Sequence, residues 1–338
     1  MRFALILLLA VSLASSLLAR TLNVGEEAPN FKANGDIINP PEFERNLEDC
    51  KGSVILVMEW SLRDASFGEM KKVQDYYNKH AGKGLHIWTV YRLDFEKLFR
   101  VRKIAWENSF TFPICMGGFY DEKNDFFGYK REESGFRTTV VDIEGKVAFY
   151  GEKGWDAALD KELAKLVYGG LGRQKVADPV AKIAASFAKR DFGKALKDAE
   201  TLEAAGVPEA AADDHGHIVG KLKQIADTRN QRITEWVADK RYDLALPVLE
   251  TLRDEFKGHK IGDDAKAQLD AIKKDKDAKK EIKAFEDLQK LIDKLKLGEK
   301  QMLVNGLKDF AKRMNTVRAG VVATKLAEQY EHEPESNK

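Results

Sequence analysis

The rhythm of apolar and polar positions is clearest between residues 54 and 70. Val54, Ile55, Leu56, Val57 and Met58 run together without a polar break, the mark of a strand buried on both faces. Glu59, Trp60, Ser61 and Leu62 interrupt the run, and Phe67, Met70, Val73 and Tyr77 then recur at helical spacing. The pattern predicts a strand, a tight turn and a helix over Ser66–His80, closed by Ala81-Gly82-Lys83-Gly84 because glycine readily takes the left-handed capping conformation. Leu85–Tyr91 (LHIWTVY) predicts a second strand, residues 94–106 a second helix, and Phe112-Pro113-Ile114-Cys115 a short extended piece. A polar, aromatic insertion follows at 120–133. Residues 138–142 (TTVVD) predict a third strand, Ile143-Glu144-Gly145 a hairpin turn, 146–150 its partner and 155–168 a closing helix. Ahead of all this, residues 22–31 read as an extended edge segment, since Pro29 restricts its neighbour. The sum is an α/β sandwich: a central mixed β-sheet flanked by helices.

After Gly169-Gly170-Leu171-Gly172, which reads as a linker, strand signals nearly vanish. Helical periodicity predicts segments at 180–189, Phe192–Ala205, 214–238, 242–256, 263–297 (with a possible break), 299–313 and 319–331. Phe192 and Tyr242, Ala195 and Ala245, and Leu202 and Leu252 each stand 50 positions apart. An aromatic that plugs a turn, then a small Ala that lets a paired helix approach, resembles the second helix of a tetratricopeptide hairpin. The spacing exceeds that repeat's period of about 34 residues, so the expectation is an all-α helical-repeat unit of tetratricopeptide-like kind. Stacked hairpins of this sort offer faces to protein partners; a plain helical bundle is the other reading.

Length and composition bound the rest. At 338 residues the chain suggests two domains. The division expected is a signal peptide at 1–19, an α/β domain at 20–170, a helical domain at 171–331 and a disordered polar tail at 332–338. The signal peptide rests on Arg2, an apolar run at 3–11 and small residues up to Ala19. It implies export to a periplasmic or extracellular space, with an N-terminal membrane anchor as the alternative; no later segment is apolar enough for stable insertion. With 56 Lys and Arg against 55 Asp and Glu, for a formal charge of +1, nothing calls for nucleic acid as a partner. Asp213-Asp214-His215-Gly216-His217 has metal-ligand residue types, but histidines at i and i+2 do not share a helix face. One of the two aspartates is expected to cap a helix N-terminus, and neither metal nor cofactor is expected. The only cysteines are Cys50 and Cys115, and they form no Cys-x-x-Cys.

Four motifs in order resemble the thioredoxin superfamily, in its redoxin branch of alkyl-hydroperoxide-reductase/thiol-specific-antioxidant proteins and exported thioredoxins. They are Gly25-Glu26-Glu27-Ala28-Pro29-Asn30-Phe31, Lys83-Gly84-Leu85-His86-Ile87, Phe112-Pro113, and Thr138-Thr139-Val140-Val141-Asp142 with Gly145 after it. The resemblance implies a thioredoxin-like fold and a thiol site at the turn before residue 66. That site is degenerate. Aligning Glu69-Met70 with the family's Glu-Met puts the two cysteine positions on Arg63 and Ser66, with Asp64 and Ala65 between. Ser66 also stands where a peroxidatic cysteine would sit, and it lacks the low-pKa sulfur. The family's cis proline falls on Arg137, where a cis bond costs roughly 3–4 kcal/mol, so a trans peptide is expected. The leading expectation is a redox-inactive adaptor that binds a protein through its helices. The alternatives are an atypical thiol oxidoreductase or peroxiredoxin-like enzyme using Cys115, and a small-anion site between Arg63 and Arg137. Cys50 is expected at the opposite end of the sheet from the turn, out of reach of Cys115.

Overall fold

The structure is a computed structural model that describes residues 22–30, 32–33, 36–40, 50, 52–62, 66–91, 98–116, 119–121, 124–125 and 137–332. The expected signal peptide, Arg63, Asp64, Ala65, most of the 120–133 insertion and the tail after residue 332 lie outside those residues.

The apolar run is strand β3, Val54–Trp60, and all seven of its residues are buried. It needs cover on two faces and neighbours on two edges. On one edge it pairs in parallel with β4, Leu85–Tyr91, which pairs in parallel with β5, Ile114–Cys115, and the short β2, Ile37–Ile38, closes that side antiparallel. On the other edge lie β8, Thr138–Val141, and β9, Val147–Gly151, both antiparallel. The sheet order is β2-β5-β4-β3-β8-β9. This is the thioredoxin-like mixed sheet that the sequence motifs imply.

The connections fix which face the helices cover. From β3 to β4 and from β4 to β5 the chain steps the same way across the sheet, so right-handed crossovers put both intervening helices on one face. These are α1, Ser66–His80, and α2, Leu98–Glu107. The helix after β9, α3 at Trp155–Leu163, joins them. Leu56, Met58 and Trp60 accordingly pack with Met70 of α1, Val101 of α2 and Trp155 of α3. Ile55 and Val57 point the other way, into a smaller cluster with Leu22, Ala28, Trp88 and both cysteines. The insertion is not all loop: β6, Phe119–Asp121, and β7, Asn124–Asp125, pair with each other, and β6 pairs with β1, Lys32–Ala33, in a second small sheet.

The closing helix stops at Leu163 rather than 168. Lys165 N–H and Leu166 N–H reach back only three residues, to Glu162 and Leu163, which tightens the chain out of the helix. The glycine stretch that reads as a linker is packed. Gly52, at φ +90°, lies so close to the Gly172 backbone that a Cβ on it would come within 2.4 Å of Gly172 Cα. Leu171 is fully buried.

Eight helices follow: α4 Asp178–Ala188, α5 Phe192–Ala205, α6 Ala212–Ala238, α7 Tyr242–Glu255, α8 Lys260–Lys274, α9 Lys276–Leu295, α10 Lys300–Arg313 and α11 Arg318–Glu331. Each packs on the next. The long segment expected over 263–297 is two helices, split where Asp275 takes an extended ψ of 130° and its carboxylate caps α9 through Ala278 N–H. The 50-residue correspondence is a repeated turn. Arg190 and Lys240 both adopt positive φ, 59° and 55°. In each case the next N–H reaches five residues back, Asp191 to Ser186 O and Arg241 to Trp236 O. Asp213 and Asp214 do not cap their own helix, whose N-cap is Ala211. They sit in its first turn, where both carboxylates hold Arg173 and Asp214 also accepts Ala177 N–H at 2.8 Å.

One ionic cluster ties the array together and to the sheet domain. Glu255 accepts from the buried Arg229 at 2.7 Å and from Arg190 at 2.6 Å, and Arg190 also donates to Gly82 O at 3.2 Å. Glu255→Ala removes the carboxylate shared by two guanidiniums, one of them only 3% exposed. We expect it to cost about 3–5 kcal/mol. Lys194→Ala, which breaks an exposed pair with Asp198, should cost far less, because solvent screens that pair. Urea denaturation of the two variants checks the contrast.

Candidate functional site

The carboxyl end of β3 delivers the chain to the turn where the family resemblance places thiol chemistry. Trp60, fully buried, anchors that rim. Its Nε1 donates to Thr89 Oγ1 at 3.2 Å, and Thr89 Oγ1 donates to Pro113 O at 3.0 Å. The indole stacks on Phe67 at 6.1 Å between ring centroids and meets Tyr91 edge-on at 5.0 Å. The rim is thus an aromatic plug with its polar edge satisfied inside the sheet.

Ser66 is the first residue of α1 and is fully buried. Its Oγ accepts the backbone N–H of Ser61 at 3.0 Å, tying the end of β3 to the start of α1. The hydroxyl at the position that the resemblance aligns with a cysteine is therefore an acceptor for the backbone of Ser61. Arg137 directly precedes β8. Its carbonyl accepts Glu59 N–H at 2.9 Å, extending the ladder with β3. Its guanidinium donates to Glu152 Oε1 at 2.6 Å. No peptide bond among the described residues is cis. Arg137 thus enters any anion site already paired with a carboxylate.

A shallow cleft of about 300 Å³ opens beside this rim, lined by Glu69, Lys72, Glu152, Lys153 and residues 154–156 at the start of α3. Its charges are mixed. Lys72 pairs with Glu69 at 3.2 Å and with Asp156 at 3.5 Å. Such a lining gives an anion no net attraction.

The cysteines stand apart. Cys115 pairs with Val90, and Val90 with Glu59. That puts Cys115 level with the far end of β3, some five residues or about 17 Å beyond Val54 at ~3.3 Å per residue, whereas Cys50 precedes Val54. Both side chains are fully buried, and no disulfide joins them. Burial alone pushes the Cys115 thiol up to about 12, so at neutral pH it is protonated and a poor nucleophile. His215 and His217 do not converge: their Nε2 atoms contact Ala199 O at 3.1 Å and Leu171 O at 2.6 Å. Among the described residues no group of three or more His, Cys, Asp or Glu could hold a metal ion.

Three residues at the rim escaped the sequence reading. Glu59, only 3% exposed, was visible as the one acid in an apolar strand. Thr138, fully buried, has an Oγ1 with no hydrogen-bond partner among the described residues. Glu152, the partner of Arg137, carries no local sequence signal.

The raised Cys115 pKa has a sign that can be measured. Above the ordinary thiol value of 9.0 an unfolded chain loses this proton while the folded chain keeps it. The folded state then binds more protons, so stability falls as pH rises from 9 toward 12. Cys115→Ala should therefore show a shallower loss of stability than the wild type over that alkaline range, in denaturation midpoints taken at successive pH values.

No protein-family model matches the chain, and no curated protein matches it. Solved structures similar to part of it include a putative thiol:disulfide interchange protein DsbE from Chlorobium tepidum, at 23% identity. That match covers 43% of this chain and 97% of the other, with a TM-score of 0.31. A putative protein disulfide isomerase from Bacteroides thetaiotaomicron is 21% identical over 43% of this chain and 90% of its own, with a TM-score of 0.33. A DsbF homologue from Corynebacterium diphtheriae is 15% identical over 45% of this chain and 96% of its own, with a TM-score of 0.32. In each case the likeness takes in less than half of this chain.

Proposed function

We propose that this chain is an exported thioredoxin-like protein without thiol chemistry, acting as an adaptor that binds a protein partner through the helices after residue 171. The observation that carries the first half is Ser66, a buried hydroxyl tied to Ser61 N–H at the position where a redoxin needs an exposed or exposable sulfur. Cys115, buried and shifted to about 12, does not replace it. Export rests on the apolar run at 3–11 and the small residues up to Ala19. No described helix is long and apolar enough to cross a membrane. The binding role rests on the stacked helices with their repeated turn, read as tetratricopeptide-like. It also rests on apolar side chains that the stack leaves in solvent, Leu297 and Met302, each 54% exposed.

The purified full-length chain should not accelerate the reduction of insulin by dithiothreitol and should not consume hydrogen peroxide. Its thiols should resist a disulfide reagent at neutral pH until the chain is unfolded, when both should react. Turnover in either assay that is lost in Cys115→Ser, with Cys115 found oxidised by mass spectrometry, would overturn this reading in favour of a thiol enzyme.

A further inference from the structure

We propose that the thioredoxin-like unit is the end cap of the helical array and grips it at two separate points, one before its first helix and one at its last. Stacked helical hairpins leave an apolar flank on their outermost members, and such arrays need terminal caps with a polar outer face. Here α11 turns Thr324, Lys325 and Glu328 to solvent and keeps an apolar stripe covered. Ala327 and Tyr330 on it are 1% and 2% exposed.

Tyr330 is covered by α2, whose residues divide into two stripes at helical spacing. Leu98, Val101 and Ala105 belong to the core of the sheet. Phe99, Arg102, Lys103 and Trp106, at i, i+3, i+4 and i+7, turn to the array. Phe99, 7% exposed, clusters with the residues of α9, α10 and α11 and not with the sheet. Its ring meets Tyr330 edge-on, with 5.2 Å between centroids. Arg102 donates to Tyr330 Oη, and its guanidinium carbon lies 5.6 Å from the centre of the same ring. Lys103 Nζ donates to Gly298 O at 3.0 Å, just ahead of α10. Aromatic, cationic and hydrogen-bonding contacts thus converge on one helix of the sheet domain.

The first grip lies at the opposite end of the array. Gly52 and Gly172 touch backbone to backbone, Gly169 approaches Lys83 O, and Arg190 donates to Gly82 O. Between the two grips the chain forms a closed circuit, from the sheet through α3 and the array back to α2. Loosening one grip should therefore be felt in the helices of the other partner. This role does not depend on the adaptor reading; a chain that proved to be a thiol enzyme could still carry it.

Hydrogen exchange on the full-length chain tests the proposal. Phe99→Ala should speed amide exchange in α10 and α11 by on the order of tenfold or more, while β3 and β4 keep their protection. Tyr330→Ala should in turn speed exchange in α2. Unchanged protection of α11 in Phe99→Ala, or of α2 in Tyr330→Ala, would overturn the cap. Should Phe99→Ala fail to fold, Arg102→Ala decides instead, because it removes only contacts to the array. A gain of about threefold or more in α11 exchange supports the cap, and no gain refutes it.

Discussion

A strand with no exposed residue sets the terms for everything around it. β3 is buried along its whole length, and a strand in that position needs apolar cover above and below, and hydrogen-bonding neighbours on both sides. The parallel partners β4 and β5 meet part of that need and bring α1 and α2 with them, on a single face. Placing α2 there creates a new requirement. Its second stripe, with Phe99 and Trp106, would be an exposed apolar surface on an isolated domain. The last helices of the array meet it. Burial thus passes outward from sheet to α2 and from α2 to α11, and the helical half completes the α/β half as much as it extends it.

Much of the fold was legible because it is written in local periodicity. The strand at Val54, the helix Ser66–His80, the strand Leu85–Tyr91 and the helix Phe192–Ala205 are set by runs and spacings that no distant contact overrides. What was not legible depends on partners far along the chain. The glycines at 169–172 have the composition of a loose linker, and only the approach of Gly52 makes them a docking point. Lys273-Lys274-Asp275-Lys276 continues a polar helix face in sequence, yet Asp275 leaves the helix to cap the next one. A second internal correspondence also went unseen. Gly262, Ala265 and Leu269 match Gly320, Ala323 and Ala327, each 58 positions on. In both cases the glycine abuts a carbonyl of the preceding turn, Phe256 O or Met314 O. Two spacings, 50 and 58, explain why no single period stands out in the sequence.

At the candidate site the residue types were legible and their use was not. Ser66 and Arg137 both serve the backbone. The hydroxyl of Ser66 accepts Ser61 N–H, and the carbonyl of Arg137 continues the β3 ladder by accepting Glu59 N–H. The sequence expectation sets Arg63 and Arg137 on the two sides of one site, and Arg63 lies outside the described residues. Sequence could not supply Glu152, whose carboxylate pairs with Arg137 from beyond β9.

The α/β unit carries contacts on which the helical array depends. Most substitutions destabilise, so a unit on which another part of the chain depends is held in place by stability, whatever chemistry it performs. Here the outer stripe of α2 belongs to the core of the array, and the turn at Gly82 belongs to its ionic cluster through Arg190. The residues under that constraint lie on α2 and at the amino end of the sheet, away from the Ser66 turn. Substitutions at the Ser66 rim therefore leave the packing that supports the helices intact.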